Sequence, residues 1–294
     1  MQRPETARWH ALVLTLPEER ADEIGAALAG GRLGVHFEDA GATSTLVRIY
    51  LREPDAIEPA LEDARELLAA YGLDADQCGL GQELVEDGRW VERYQASLKP
   101  FVLGRGFVVW PSGTGEPVEG RHALKLVPGR AFGTGEHPTT QACTELLEHR
   151  VRPGSRWLDL GCGTGILSLV AQHSGAASVV GCDLDPLAVD VARETAAIND
   201  GPSGIRFVVG SATAPPEGGP FDGVVCNISP SFFQTYAAET AELVADSGLL
   251  IASGFLVEDA VSIANGLAEY GLREVERVER APWAVLVVER ASTA

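Results

Sequence analysis

The ten residues Leu158-Asp159-Leu160-Gly161-Cys162-Gly163-Thr164-Gly165-Ile166-Leu167 constrain this chain more than any other stretch. An apolar run ends in three alternating glycines and passes directly into a second apolar run. Glycine takes positive φ without penalty, so the segment predicts a sharp turn from strand to helix. The helix start then offers free N–H groups to an anion. Arg156 to Leu160 is the first of several short apolar runs, followed by Ser178 to Cys182, Arg206 to Val209, Val224 to Cys226 and Leu249 to Ala252. Helical stretches separate several of them, and alternation of this kind predicts a parallel sheet covered on both faces. The tail breaks the alternation. Leu272 to Arg280, Ala281-Pro282 and Trp283 to Glu289 predict a β-hairpin, so the sheet ends on an antiparallel strand.

The first quarter of the chain has a different rhythm. Leu12, Leu14 and Leu16 fall on alternate positions, the period of a strand, and Pro17-Glu18-Glu19 opens a helix that stops at Gly30-Gly31. Strand-like runs at Val35 to Glu38 and Thr45 to Leu51 flank a turn at Gly41, and Asp55 to Ala70 presents Ile57, Leu61 and Leu68 on one side of a helix. A run from Leu80 to Val85 completes a β-α-β-β-α-β order of the split-βαβ type. The expected division is a small α+β domain over residues 1–77, a linker with an aromatic helix carrying Trp90 and Tyr94 over 78–99, and a catalytic domain over 100–294.

The glycine loop also occurs in dinucleotide enzymes, but its G-x-G-x-G spacing with an acid two residues before it suits S-adenosylmethionine better than a pyrophosphate. A sulfonium cofactor carries no phosphate and has an ammonium to satisfy. Asp159 can supply the negative charge, directly or through water. The next apolar run ends in Gly181-Cys182-Asp183-Leu184-Asp185-Pro186, where Asp183 is placed to accept from both ribose hydroxyls. Asp185 before Pro186 instead reads as a helix cap with proline at the first helical position. Asn227, in Cys226-Asn227-Ile228-Ser229-Pro230, ends a strand where open α/β sheets bind ligands. It is the candidate catalytic residue, orienting the methyl-accepting nitrogen or holding the methionine part of the cofactor; the alternative is a simple helix cap. Gly210-Ser211-Ala212 is assigned to the adenine pocket by position alone.

Composition narrows the partners. With 23 Lys+Arg against 42 Asp+Glu the formal charge is −19, which repels phosphate backbones and draws basic proteins. Direct nucleic-acid recognition is not expected. No apolar window reaches membrane-spanning length, and Met1 to Arg8 lacks the apolar core of a secretory signal. Five scattered cysteines without a C-x-x-C pair fit reduced thiols in a cytoplasm, and the dispersed histidines give no metal site.

One further segment is not needed by a generic cofactor-binding sheet: Val127-Pro128-Gly129-Arg130-Ala131-Phe132-Gly133-Thr134-Gly135-Glu136-His137-Pro138-Thr139-Thr140. Together with the glycine loop, G-C-D-L-D-P, C-N-I and the terminal W-A-V-L-V, it resembles the PrmA-type ribosomal-protein methyltransferases over nearly the whole chain. The resemblance implies a Rossmann-like class I methyltransferase sheet ending in an antiparallel hairpin, preceded by a small α+β, ferredoxin-like domain. It also implies methylation of amino groups, chiefly lysines, of the eleventh protein of the large ribosomal subunit, a basic partner. Its cofactor contacts fall on Thr140, Gly161, Asp183 and Asn227, beside the Asp159, Gly163 and Gly165 of the loop. Phe132, Gly133 and Thr134 would form a mobile wall over the cofactor, and the leading domain would recognise the substrate. The chain departs from the family at Val127, where Asp is usual, at Ser229-Pro230, where Leu-Ala is common, and at Tyr94, where a second Trp is common.

The reaction so implied is in-line attack of an uncharged amine on a sulfonium methyl, helped mainly by alignment. His137 reads as a brace of the loop or, less simply, as a base. Four rivals remain at this level: a lysine methyltransferase of a non-ribosomal protein, a nicotinamide-dependent oxidoreductase, a non-catalytic ribosome-assembly binder and a nucleic-acid base methyltransferase.

Overall fold

The computed structural model describes residues 9–29, 34–41, 43–51, 57–85, 99–111, 118–126, 135–199 and 203–292. Trp90, Tyr94 and Val127 lie outside them, as do Phe132, Gly133 and Thr134. The described chain divides into two compact units, the first ending at Val85 and the second beginning at Lys99.

In the first unit, β1 (Trp9–Pro17), α1 (Glu18–Ala29), β2 (Gly34–Asp39), β3 (Ser44–Leu51), α2 (Ile57–Ala70) and β4 (Gly81–Val85) follow in order. The strands form one antiparallel sheet in the order β2-β3-β1-β4. Leu12, Leu14 and Leu16 alternate to one face of β1 and meet Ile24 and Leu28 of α1 and Leu61, Ala64 and Leu68 of α2. Each such leucine or isoleucine leaving water contributes about 1.5–3 kcal/mol, which is what holds the helices on the sheet. Because β4 pairs with β1 from Trp9↔Val85 to Val13↔Gly81, this unit runs past residue 77, where the sequence pattern alone placed its end.

The second unit begins with β5 (Phe101–Leu103), β6 (Phe107–Trp110) and β7 (His122–Lys125), a three-stranded sheet with no counterpart in the sequence reading. It is tied down by polar side chains from distant helices. Gln141 and Glu148 of α3 (Pro138–Arg150) accept from the backbone of Gly104 at 3.1 Å and Arg105 at 2.9 Å. Asn199 closes a two-way bond with the Lys125 backbone, at 2.8 and 2.7 Å.

The main sheet then forms from β8 (Arg156–Leu160), α4 (Ile166–His173), β9 (Ser178–Asp183), α5 (Pro186–Ile198), β10 (Ile205–Val209), β11 (Phe221–Asn227), α6 (Pro230–Glu242), β12 (Val244–Leu256), α7 (Ala260–Ala268), β13 (Leu272–Arg280) and β14 (Trp283–Arg290). Its seven strands run in the order β10-β9-β8-β11-β12-β14-β13. The five crossover-linked strands are parallel, and β14 is antiparallel to both β12 and β13, as the hairpin pattern predicts. α3 and α4, with the three-stranded sheet, share one core against Trp157, Val179, Val225 and Ile251. α6 and α7 share the other against Leu158, Val180, Val224 and Leu250. The connection from Gly210 to Pro220 carries no helix.

The order β9-β8-β11 is what creates a site. β8 connects outward to β9 on one side, and β11 leaves on the other, so the carboxyl ends of β8 and β11 diverge at a switch point.

Candidate active site

The rim over β8 is built by the three glycines of the loop, all left-handed: Gly161 at φ 76°, Gly163 at 51° and Gly165 at 79°. Steric neighbours add to this requirement. A Cβ on Gly161 would lie 2.7 Å from the Ile228 side chain, and one on Gly165 would lie 2.9 Å from Phe207. At these two positions glycine is demanded by the protein's own packing as well as by the turn. The amides of Gly161 and Cys162 both donate to the Cys182 carbonyl, at 2.8 and 3.0 Å, which folds the loop onto the end of β9.

Asp183, at that end, fixes the loop from the other side. Its Oδ2 accepts from the Gly163 amide and its Oδ1 from the Asp185 amide, both at 3.0 Å, while its own carbonyl accepts from Gly210 at 3.0 Å. A carboxylate has about four acceptor positions, so these two backbone bonds leave it acceptor capacity to spare. Asp185 does what its position before proline predicts, capping α5 by accepting from Leu187 at 2.8 Å.

Asp159 is the surprise of the site. It lies beneath the loop, 1% exposed, with Oδ2 accepting from the Ser168 hydroxyl at 2.7 Å. The Ser168 amide also donates to it. Asp159 thus receives a first-turn donor of α4, a helix whose N-cap Gly165 has no side chain to offer. Burial, helped by the nearby charge of Asp183, pushes the carboxyl up to about 7 against the opposing bonds from Ser168. Neither Asp159 nor Asp183 has a Lys or Arg partner among the described residues.

This pair suits a positively charged ligand, because a cation placed near it recovers what burial of the carboxylates costs. Four thiols, Cys143, Cys162, Cys182 and Cys226, surround the same buried charge; burial raises each, with Cys143 and Cys182 pushed up to about 12. They stay protonated at neutral pH and supply no thiolate nucleophile.

A stability test follows from Asp159. Its folded-state affinity for a proton exceeds that of the unfolded chain, so the wild type loses stability as pH rises from about 4 to about 7. Asp159→Asn keeps an acceptor for Ser168 and has no charge to bury. It is expected to unfold at higher denaturant concentration than wild type at pH 8, by roughly 4 kcal/mol, with the gap closing toward pH 4. A gap that is the same at both pH values would show that burial does not raise this group.

Asn227 ends β11 on the far side of the switch point. Its Nδ2 donates to Thr140 Oγ1 over a long 3.5 Å. Thr140 is 2% exposed, in the first turn of α3, so residues 87 positions apart meet at one edge. That helix is started by His137, whose Nδ1 accepts from the Thr139 amide at 3.3 Å and lies 2.7 Å from its hydroxyl. The ring packs edge-on to Trp283 at 4.6 Å. His137 acts here as a cap and brace.

The structure therefore gathers Gly161, Gly163, Gly165, Asp159 and Asp183 on one side of the switch point and Asn227 with Thr140 on the other. Thr140 has no chemical signal in the sequence; only the resemblance points to it. The Asp159–Ser168 cap escaped the sequence reading, although a serine nine positions after the acid and in the first turn of the helix is a visible clue.

The strand order, the glycine turn after β8 and the acid after β9 define a class I S-adenosylmethionine-dependent methyltransferase. A family model for the ribosomal protein L11 methyltransferases (PrmA) matches residues 9–291. The chain belongs to that family. A ribosomal protein L11 methyltransferase of Burkholderia mallei (strain NCTC 10229) is 36% identical over 283 residues, spanning 89% of this chain and 92% of its own. One from Synechococcus sp. (strain RCC307) is 33% identical over 293 residues, spanning 96% and 97%. The crystal structure of ribosomal protein L11 methylase from Lactobacillus delbrueckii subsp. bulgaricus aligns with a TM-score of 0.61 at 27% identity, over 66% of this chain and all of that one. The oxidoreductase reading has no support from any of these, and the chain is a methyltransferase.

Proposed function

We propose that this enzyme transfers methyl groups from S-adenosylmethionine to lysine and/or N-terminal amino groups of ribosomal protein L11. The match to the family from residue 9 to residue 291 carries this reading, since it takes in the leading unit as well as the methyltransferase sheet. The relatives' names give L11 as their substrate. The net charge of −19 supports a basic partner and disfavours direct nucleic-acid recognition. The absence, among the described residues, of a helix long and apolar enough to cross a membrane is consistent with work on cytoplasmic ribosomal protein.

The cofactor, when bound, supplies an electrophilic methyl on a sulfonium. In our reading, Asp183 holds the ribose hydroxyls with its remaining acceptor positions, and the glycine loop brings backbone close to the amino-acid end. Asp159 acts from beneath the loop through water, its burial and its Ser168 bonds favouring that route over direct contact. Phe132, Gly133 and Thr134 join as the wall over the cofactor. Asn227, held by Thr140, presents Oδ1 to the incoming amine and turns its lone pair to the methyl. The amine arrives uncharged, its proton lost to solvent, so alignment at about 3–3.5 Å is the main help the protein gives. The first unit, to Val85, serves as the recognition module, followed by the linker.

Purified enzyme incubated with L11 and methyl-labelled cofactor should place label on L11 amines, read by mass spectrometry. Binding of the cofactor without any labelled ribosomal protein would instead favour a non-catalytic binder.

A further inference from the structure

The segment Asn227-Ile228 is held between two left-handed glycines from different parts of the chain. On one side is Gly161, against the Ile228 side chain. On the other is Gly254, at φ 94°, inside β12. At Gly254 the pairing of β12 with β14 shifts register, from Ser253↔Val285 to Phe255↔Ala284, so Gly254 is the extra residue of a β-bulge. Its neighbour Ser253 pairs with Asn227 in the parallel ladder, and its carbonyl accepts from the Ile228 amide at 3.0 Å. Ser253 is itself fixed, fully buried, with its hydroxyl donating to the Ala284 carbonyl at 3.0 Å.

The bulge presses bare backbone against the Ile228 peptide. A Cβ on Gly254 would lie 1.9 Å from the Ile228 carbonyl oxygen, 2.6 Å from its carbon and 2.9 Å from its nitrogen. All three are backbone atoms, so no side-chain rotation relieves the clash. Ordinary contact begins at 3.4 Å, so the oxygen would have to retreat by about 1.5 Å, carrying the adjoining Asn227 with it.

We infer that Gly254 is a positioning residue for methyl transfer: its missing side chain lets the β12 bulge set where the Asn227–Ile228 backbone sits at the switch point. The inference rests on the methyltransferase reading above and on the assignment of Asn227 to the acceptor side. It predicts a rate effect, because misplacement of a reacting geometry by about 1 Å costs on the order of 100-fold. The cofactor's anchor Asp183 ends β9 and is bonded to the Gly163 and Asp185 amides, none of them on β11 or β12.

The test compares Gly254→Ala with Gly271→Ala. Gly271 has a similar φ of 85° but open space around a Cβ, so it carries the conformational cost without the clash. Gly254→Ala is expected to lower kcat about 100-fold while changing cofactor Kd less than about threefold. Gly271→Ala should keep the wild-type kcat. Should Gly254→Ala fold poorly, Ile228→Ala loosens the same segment from the Gly161 side and should lower kcat about tenfold with Kd little changed. Wild-type kcat in either of these two segment variants would overturn the inference. So would losses in kcat and cofactor affinity that run in parallel with lost stability.

Hydrogen exchange of the Ile228 amide keeps the inference separate from the substrate assignment. Protection should fall at least tenfold in Gly254→Ala or in Ile228→Ala, and not in Gly271→Ala, with no substrate present. Unchanged protection sinks the positioning role. If protection falls but the wild type itself does not methylate L11, the proposed substrate is wrong and the placement of the segment by Gly254 stands.

Discussion

Asn227→Ala is expected to lower kcat for methylation of L11 by about 100- to 1000-fold, the range seen when a preorganised polar group is removed from a reacting centre. Cofactor Kd should rise by less than about tenfold, since the Asp183 anchor is untouched. Initial-rate kinetics with titration calorimetry separate the two quantities. The carboxamide sits at the end of β11, one amide from the peptide that Gly254 supports, with Nδ2 turned to Thr140. Truncation removes the group proposed to orient the amine and leaves the buried Thr140 hydroxyl without this donor. Thr140→Val, which keeps the volume and loses the hydroxyl, should give a smaller loss of the same kind. A rate within threefold of wild type for Asn227→Ala would remove Asn227 from the chemistry.

Asp183→Ala should weaken cofactor binding by at least about 100-fold, because hydrogen bonds to a charged group contribute roughly 1.5–3 kcal/mol each. The loss has two parts. The ribose loses its acceptor, and the loop loses its tie, since the Gly163 and Asp185 amides both give their protons to this carboxylate. Asp183→Asn retains one acceptor oxygen and should fall between wild type and Ala. Direct calorimetric binding of S-adenosylmethionine to the three proteins reads the series. An Ala variant with wild-type affinity would mean that this carboxylate does not hold the cofactor.

Much of the methyltransferase unit is legible in the sequence itself. Its central strands are buried on both faces, so each appears as a short, mostly apolar run, and the glycine loop and the Ala281-Pro282 turn punctuate them. Asp183 and Asn227 stand out as candidates for the same reason, as polar residues ending such runs. β12 was read only from Leu249 to Ala252 but extends from Val244 to Leu256, because Asp246, Ser247 and Gly248 interrupt its pattern. The three-stranded sheet has no comparable signature in the sequence. Its strands are three or four residues long, and Gln141, Glu148 and Asn199 hold it from far along the chain. The limit at residue 77 cuts off the Leu80 to Val85 run that the β-α-β-β-α-β pattern itself requires, and the pairing of β4 with β1 keeps that run in the leading unit.

Local spacing thus decided the element order, the left-handed turn and the acids that could meet a cation, because strands, helices and glycine turns are set by near neighbours in the chain. Tertiary packing decided the rest. It buried Asp159 under α4, brought Thr140 to Asn227 and set Gly254 against the Ile228 carbonyl. These contacts join residues far apart in sequence, and their distances follow from how the sheet orders and staggers its strands, which no local pattern encodes.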